Sequence, residues 1–201
     1  MTDRTKRFEA ALLPHLDAAY NLARWLLRDD QNARDVVQDA YLRAFRFFDG
    51  LRAGDARPWL LGIVRNACYT CLADSGRRRE MIEFDDERDG QVSVPGYVHA
   101  ENDPEKLLLQ KVETARVDAA IEQLPFIFRE VLVLREMEEM SYDEISQVAL
   151  IPVGTVMSRL ARARAMLRAA LRAVWDDPVD VTQVMRDVSA LKRQMLAARE
   201  R

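Results

Sequence analysis

The sequence predicts an all-α protein: two small helical domains joined by a flexible acidic linker. Three observations lead there. Seven glycines and seven prolines in 201 residues leave few turns, which disfavours a many-stranded β fold. Apolar residues recur at helical spacing on both sides of the middle of the chain. Within that middle, residues 80–105 hold nine acids against Arg88 alone, and the periodicity stops. The net charge of −3 is therefore a sum over unlike parts, since residues 1–79 carry 14 bases against 10 acids and residues 106–201 carry 15 against 14. At 49% hydrophobic and 31% charged, the chain can bury cores and is not globally disordered.

The first domain is expected over residues 1–78. Leu12, Leu16, Ala19, Leu22, Ala23, Leu26 and Leu27 form one helical stripe. After the polar break Arg28-Asp29-Asp30, a second stripe runs through Val36, Val37, Ala40, Tyr41, Ala44, Phe45 and Phe48. Residues 49–55 have the chemistry of a loop. Pro58 suits the first turn of a helix running from Trp59 to Ala73, where its missing N–H costs nothing. Cys68 and Cys71 lie inside that helix, and with no second pair they read as buried small residues rather than a metal or redox site.

Residues 79–113 form the acidic linker, self-repelling and extended. Helical pattern resumes near Lys106, breaks at Leu124-Pro125, and continues through Phe126–Met140. Ser141 and Glu144 make a capping box for a short helix ending near Val148–Leu150. After Ile151-Pro152, a longer helix runs from about Val153 to Val174. Short helix, tight turn and long helix make a helix-turn-helix, expected within a second domain at 114–175. Its long helix carries Val156, Leu160, Ala163 and Leu167 on one face. Residues 153–173 also hold five arginines and no acid. An apolar back with an Arg/Ser/Thr front suits the DNA major groove, since arginine binds phosphate or a guanine edge. A solvated arginine-rich surface helix is the bland alternative. Over 176–201, Asp180 and Gln183 are placed to cap a further helix with Val181, Val184, Met185, Val188, Leu191 and Met195 on one stripe. It is expected to pack on the second domain or on a partner protein.

The stretch AAIEQLPFIFREVLVLREMEEM followed by SYDEISQVALIPVGTVMSRLARARAMLRAAL resembles region 4 of an extracytoplasmic-function (ECF) sigma factor of bacterial RNA polymerase. Independently, ARDVVQDAYLRAFRFFDGLRAGDARPWLLGIVRNACYTCLAD is similar to region 2 of the same family. The resemblance implies a promoter-specificity subunit with no catalytic residue, no metal, no cofactor and no small-molecule substrate. Asp35, Val36, Val37, Gln38 and Asp39 would dock on the β′ coiled coil of core RNA polymerase. Phe47 and Leu51, with Asn66 on the next helix, would capture a base flipped from the −10 element. Trp59, Arg65 and Tyr69 would support strand separation, although core packing explains Trp59 equally well. Region 4 would meet the β flap and read the −35 element. Ser158, Arg159 and Arg162 match recognition-helix positions, and Tyr142 and Thr155 match phosphate contacts. Met157 stands where the family commonly has Lys or Arg, Ala161 where many members carry a larger residue, and Glu139 where Gly is common.

The resemblance further implies control by an anti-sigma factor. The linker then either mimics nucleic-acid charge in a polymerase channel or simply sets the reach between the promoter elements. A helix-turn-helix regulator that binds an operator without joining the polymerase is the competing reading; its first half should resemble a receiver or ligand domain, and the strand-and-Asp pattern of a phosphoacceptor is missing there. No apolar run approaches the roughly 18 residues of a membrane span. The N-terminus has no secretion signal, and two cysteines form no disulfide framework, so a cytoplasmic location is expected.

Overall fold

The computed structural model describes residues 3–51, 56–76 and 116–172. The expected linker at 79–113, the extension at 176–201 and most of the loop before the fourth helix lie outside the described residues. The first half is built from α1 (Asp3–Leu12), α2 (Leu16–Leu27), α3 (Asp30–Phe47) and α4 (Ala56–Asp74). The second half holds α5 (116–122), α6 (Phe126–Glu136), α7 (Tyr142–Ala149) and α8 (Val153–Arg172).

Local chemistry sets the breaks. Arg28 takes a left-handed conformation at φ 56°, and Asp29 then caps α3, its carboxylate accepting from the Asn32 N–H at 2.7 Å. Phe8 of α1 meets Tyr41, Phe45 and Phe48 edge-on, with ring centroids between 5.1 and 6.3 Å apart. The Tyr41 hydroxyl donates to the Leu12 carbonyl at 2.8 Å. Burial, aided by Asp17, pushes its pKa up to about 12. α4 begins at Ala56 rather than Trp59, with Pro58 inside its first turn. Cys68 is fully buried, and burial pushes its thiol well above the usual range, which leaves it a packing residue.

α6 ends at Glu136 rather than at Met140 as expected. Glu139 adopts φ 55°, which an α-helix does not accommodate. The Met140 N–H reaches back to the Leu134 carbonyl at 3.1 Å, and Arg135 Nη1 binds the Met140 carbonyl at 2.7 Å. The same guanidinium sits 5.1 Å from the Tyr142 ring. Arg135 thus fastens the connection that delivers the chain to the Ser141 capping box. Both halves of that box are present: Ser141 Oγ accepts from Glu144 N–H at 3.2 Å, and Glu144 accepts from Ser141 N–H at 2.7 Å.

The two helical units expected from the sequence are present, and they pack against each other. α2 packs on α6, and α4 packs on α7. One continuous apolar core runs from Phe8 to Leu171. Tyr69 of α4 meets Phe126 of α6 edge-on at 4.7 Å. Arg129 is completely buried between the halves, donating to the carbonyls of Glu122 at 2.8 Å, Leu124 at 3.0 Å and Leu26 at 3.3 Å. A charged fork tying up three helix-end carbonyls satisfies groups that would otherwise be buried without partners.

Candidate nucleic-acid interface

The helix-turn-helix is assembled by its own turn. Leu150 takes a left-handed conformation at φ 56°, and Ser146 Oγ donates to the Ile151 carbonyl at 2.6 Å. The Pro152 carbonyl accepts from Thr155 and Val156, which starts α8. Val156, Leu160, Ala163 and Leu167 are buried as the stripe predicted. Arg164 Nε and Nη2 both donate to Glu136 Oε1 on α6, at 2.9 and 2.5 Å, fixing the rotation of α8 about its axis. Met157, Ser158, Ala161 and Arg162 are consequently exposed along one side. Thr155 and Arg159 are half-buried at its margin, and Tyr142 sits beneath Arg135. Ser158 Oγ donates to the Thr155 carbonyl at 3.0 Å.

In the first half, the residues assigned to polymerase docking divide. Asp35 and Gln38 are exposed, and Asp39 is half-exposed and ion-paired with Arg43 at 2.7 Å. Val36 and Val37 correct the sequence reading: both are buried in the core, because their spacing puts them on the inner stripe of α3.

The residues assigned to the −10 element divide as well. Phe47 is 68% exposed, and Asn66 also faces outward. Leu51 and Trp59 are half-buried against the core. Arg65 and Tyr69 are turned into the contact between the halves. Arg65 Nε donates to Glu130 of α6, and its Nη2 donates to the Tyr69 hydroxyl at 3.0 Å. Arg65 also lies over the Tyr69 ring at 4.3 Å and reaches Asn66 Oδ1 at 3.3 Å. Glu130 is completely buried. Burial pushes its carboxyl up, against the opposing pull of Arg65 and Arg159.

Two segments of the chain match family models: residues 12–78 match Sigma-70 region 2, and residues 114–167 match Sigma-70, region 4. The RNA polymerase sigma-H factor of Pseudomonas aeruginosa is 32% identical over 83% of this chain and 87% of its own. The ECF RNA polymerase sigma-E factor of Escherichia coli is 36% identical over 65% of this chain and 69% of its own. The chain belongs to the ECF sigma factors. Among solved structures, a sigma factor RpoE bound to the anti-sigma factor NepR, from Bartonella quintana, superimposes with a TM-score of 0.62 at 27% identity. That match covers 83% of this chain and 98% of the other. CnrH in complex with the cytosolic domain of CnrY matches with a TM-score of 0.57 at 27% identity, covering 84% and 90%. Sigma factors are transcription-initiation subunits rather than enzymes. No helix among the described residues is long and apolar enough to cross a membrane.

Sequence reasoning gave no role to Arg129, Glu130 or Arg135. Arg129 and Arg135 lie in the stretch AAIEQLPFIFREVLVLREMEEM that resembles region 4, where they occupy specified positions of the pattern Leu-Pro-x(3)-Arg-x-Val-Leu-x-Leu-Arg. Glu130 occupies one of its unspecified positions.

Proposed function

We propose that this ECF sigma factor divides promoter recognition between its two regions, residue by residue. Region 2 docks on the β′ coiled coil of core RNA polymerase through Asp35, Gln38 and Asp39, on an α3 whose buried Val36 and Val37 hold that surface in place. Phe47, Leu51 and Asn66 receive the flipped base of the −10 element, and Trp59, Arg65 and Tyr69 handle the separated strand. Region 4 contacts the β flap and reads −35 duplex with Ser158, Arg159 and Arg162, helped by phosphate contacts from Tyr142 and Thr155. Met157 and Ala161 make this reading face less basic and shallower than the family pattern. Residues 79–113 connect the regions, and 176–201 extend region 4.

The observation that carries this reading is the acid-free, arginine-bearing side of α8, held outward by the Glu136–Arg164 pair while the opposite stripe is buried. Core polymerase places the work in the cytoplasm, and the chain itself performs no catalytic step. An anti-sigma factor restrains it, a reading supported by the matched sigma factor RpoE, which is in complex with the anti-sigma factor NepR. In vitro transcription with purified core polymerase tests the assignment. Promoter-dependent initiation lost in an Arg162→Ala variant is expected. Duplex binding without any promoter-dependent initiation would refute it.

A further inference from the structure

The outward side of α8 is divided lengthwise. Ser158 and Arg162 form one exposed row, with the half-buried Thr155 at its edge. Beside it runs a second row, Gly154, Met157, Ala161 and Ala165, at helical spacing and exposed throughout. No side chain in that second row is a strong hydrogen-bond donor or acceptor. Met157 is the one with reach: it is 51% exposed, unbranched, and carries a polarisable thioether. It fills no gap in the core, because the buried stripe at Val156, Leu160, Ala163 and Leu167 occupies the other side of the helix. Gly154 is not demanded by the fold either. Its φ is not left-handed, and a Cβ there would meet nothing outside its own turn of helix within 4 Å. A bare position at the start of the reading helix instead leaves room for another molecule to come close.

The setting of this apolar row identifies what covers it. Ser158 and Arg162 flank it, Arg168 stands exposed at its far end, and residues 153–173 hold no acid. Those are the surroundings of a phosphate-edged groove. In the major groove the base edges present amino, carbonyl and ring-nitrogen groups, and the apolar exception is the 5-methyl of thymine. An apolar strip gains by covering that methyl. Against other bases it strips water from a polar edge and returns no hydrogen bond. Thymine is favoured and its rivals are penalised by the same surface.

We propose that Met157 is a specificity-determining residue of this sigma factor and receives the 5-methyl group of a thymine in the −35 element, with Gly154 and Ala161 giving the base pair room to approach it. This rests on the assignment of α8 to −35 duplex. The two rows then divide the reading: Ser158 and Arg162 take polar base edges, and Met157 takes a methyl group. Promoters served by this chain carry a thymine next to the bases that the polar row contacts.

The test presents holoenzyme, assembled from the full chain and core polymerase, with promoter duplexes randomised over the −35 element. Wild type is expected to enrich thymine at one position, and Met157→Ala to lose that enrichment while keeping the others. Deoxyuridine placed at that position then deletes the methyl group and nothing else. Wild type should bind the uracil promoter roughly fourfold more weakly than the thymine promoter, as the loss of one buried methyl implies. Met157→Ala should bind the two alike. The ratio between the two promoters is blind to a general loss of folding, which lowers both equally. A ratio near one in wild type would overturn the proposal. So would a ratio that Met157→Ala leaves unchanged, which would give Met157 to a protein partner instead. Enrichment at no −35 position would refute the assignment of α8 itself, and the proposal with it.

Discussion

The two surfaces assigned to promoter DNA are held in opposite states. On α8, Met157, Ser158, Ala161 and Arg162 face outward, as a duplex-reading helix requires. On α4, Arg65 and Tyr69 are folded against region 4, and within the −10 set Phe47 and Asn66 stay outward. The difference follows from what each surface must read. A duplex is present wherever there is DNA, whereas a melted strand exists only after polymerase has engaged. The first surface is therefore exposed in the free chain, and part of the second is covered.

The largest expected effect comes from breaking the covered side. Glu130→Ala removes the carboxylate and leaves Arg65 facing an apolar interface, at a cost of about 3–5 kcal/mol for a buried pair broken on one side. Urea unfolding of Glu130→Ala, Arg65→Gln and the double variant should show coupling of roughly 1–3 kcal/mol. Additive costs would mean that the two side chains do not act as a pair.

Next comes the exposed side. Arg162→Ala should weaken binding to −35 duplex by about 1–3 kcal/mol, the range of one good base contact. Met157→Lys should strengthen duplex binding and steepen its salt slope by about 0.9, as one added phosphate contact does. Gel-shift titrations at several salt concentrations check both. An unchanged slope would place Met157 away from the DNA.

Smaller effects sharpen how region 4 is held. Ser141→Ala should cost about 1 kcal/mol through the lost cap. Hydrogen bonds from the Ser141 N–H and hydroxyl hold the Glu144 carboxyl below the usual glutamate range. A depressed carboxyl pKa contributes stability above the ordinary glutamate value, and that contribution fades as pH falls through the folded-state pKa. The melting difference between wild type and Glu144→Gln should therefore be clear near neutrality and shrink as pH falls below the ordinary glutamate range. Smallest is Glu139→Gly. It relieves a left-handed residue worth roughly 1–2 kcal/mol, partly offset by unfolded-chain entropy of roughly 0.4–1 kcal/mol. A rise in melting temperature without a change in duplex affinity is expected.

Features set by nearby residues were legible in the sequence. The stripe at Val156, Leu160, Ala163 and Leu167, the Ser141 box and the break at Leu124-Pro125 each depend on neighbours within a turn or two. The contact between the regions depends on residues far apart in the chain, and periodicity is blind to it. Glu130 reads as a solvated charge within FIFREVLVLRE, and only Arg65, 65 positions away, makes it a buried one. Val36 and Val37 show the reverse case. Family resemblance placed them at a partner surface, whereas their helical spacing already placed them in the core. The left-handed Glu139 was foreshadowed by the glycine common at that position, yet the helix end it sets four residues early was not.

The two regions are held together by Arg65 on Glu130 and by Tyr69 against Phe126. The most direct test is the distance between non-cysteine spin labels at Asp74, exposed at the end of α4, and Gln147, exposed on α7. The account predicts a single short distance in the free protein, lengthening by tens of ångströms once core polymerase and a promoter fragment are added. A long, broad distribution in the free chain, or a short distance that persists in the promoter complex, would contradict it.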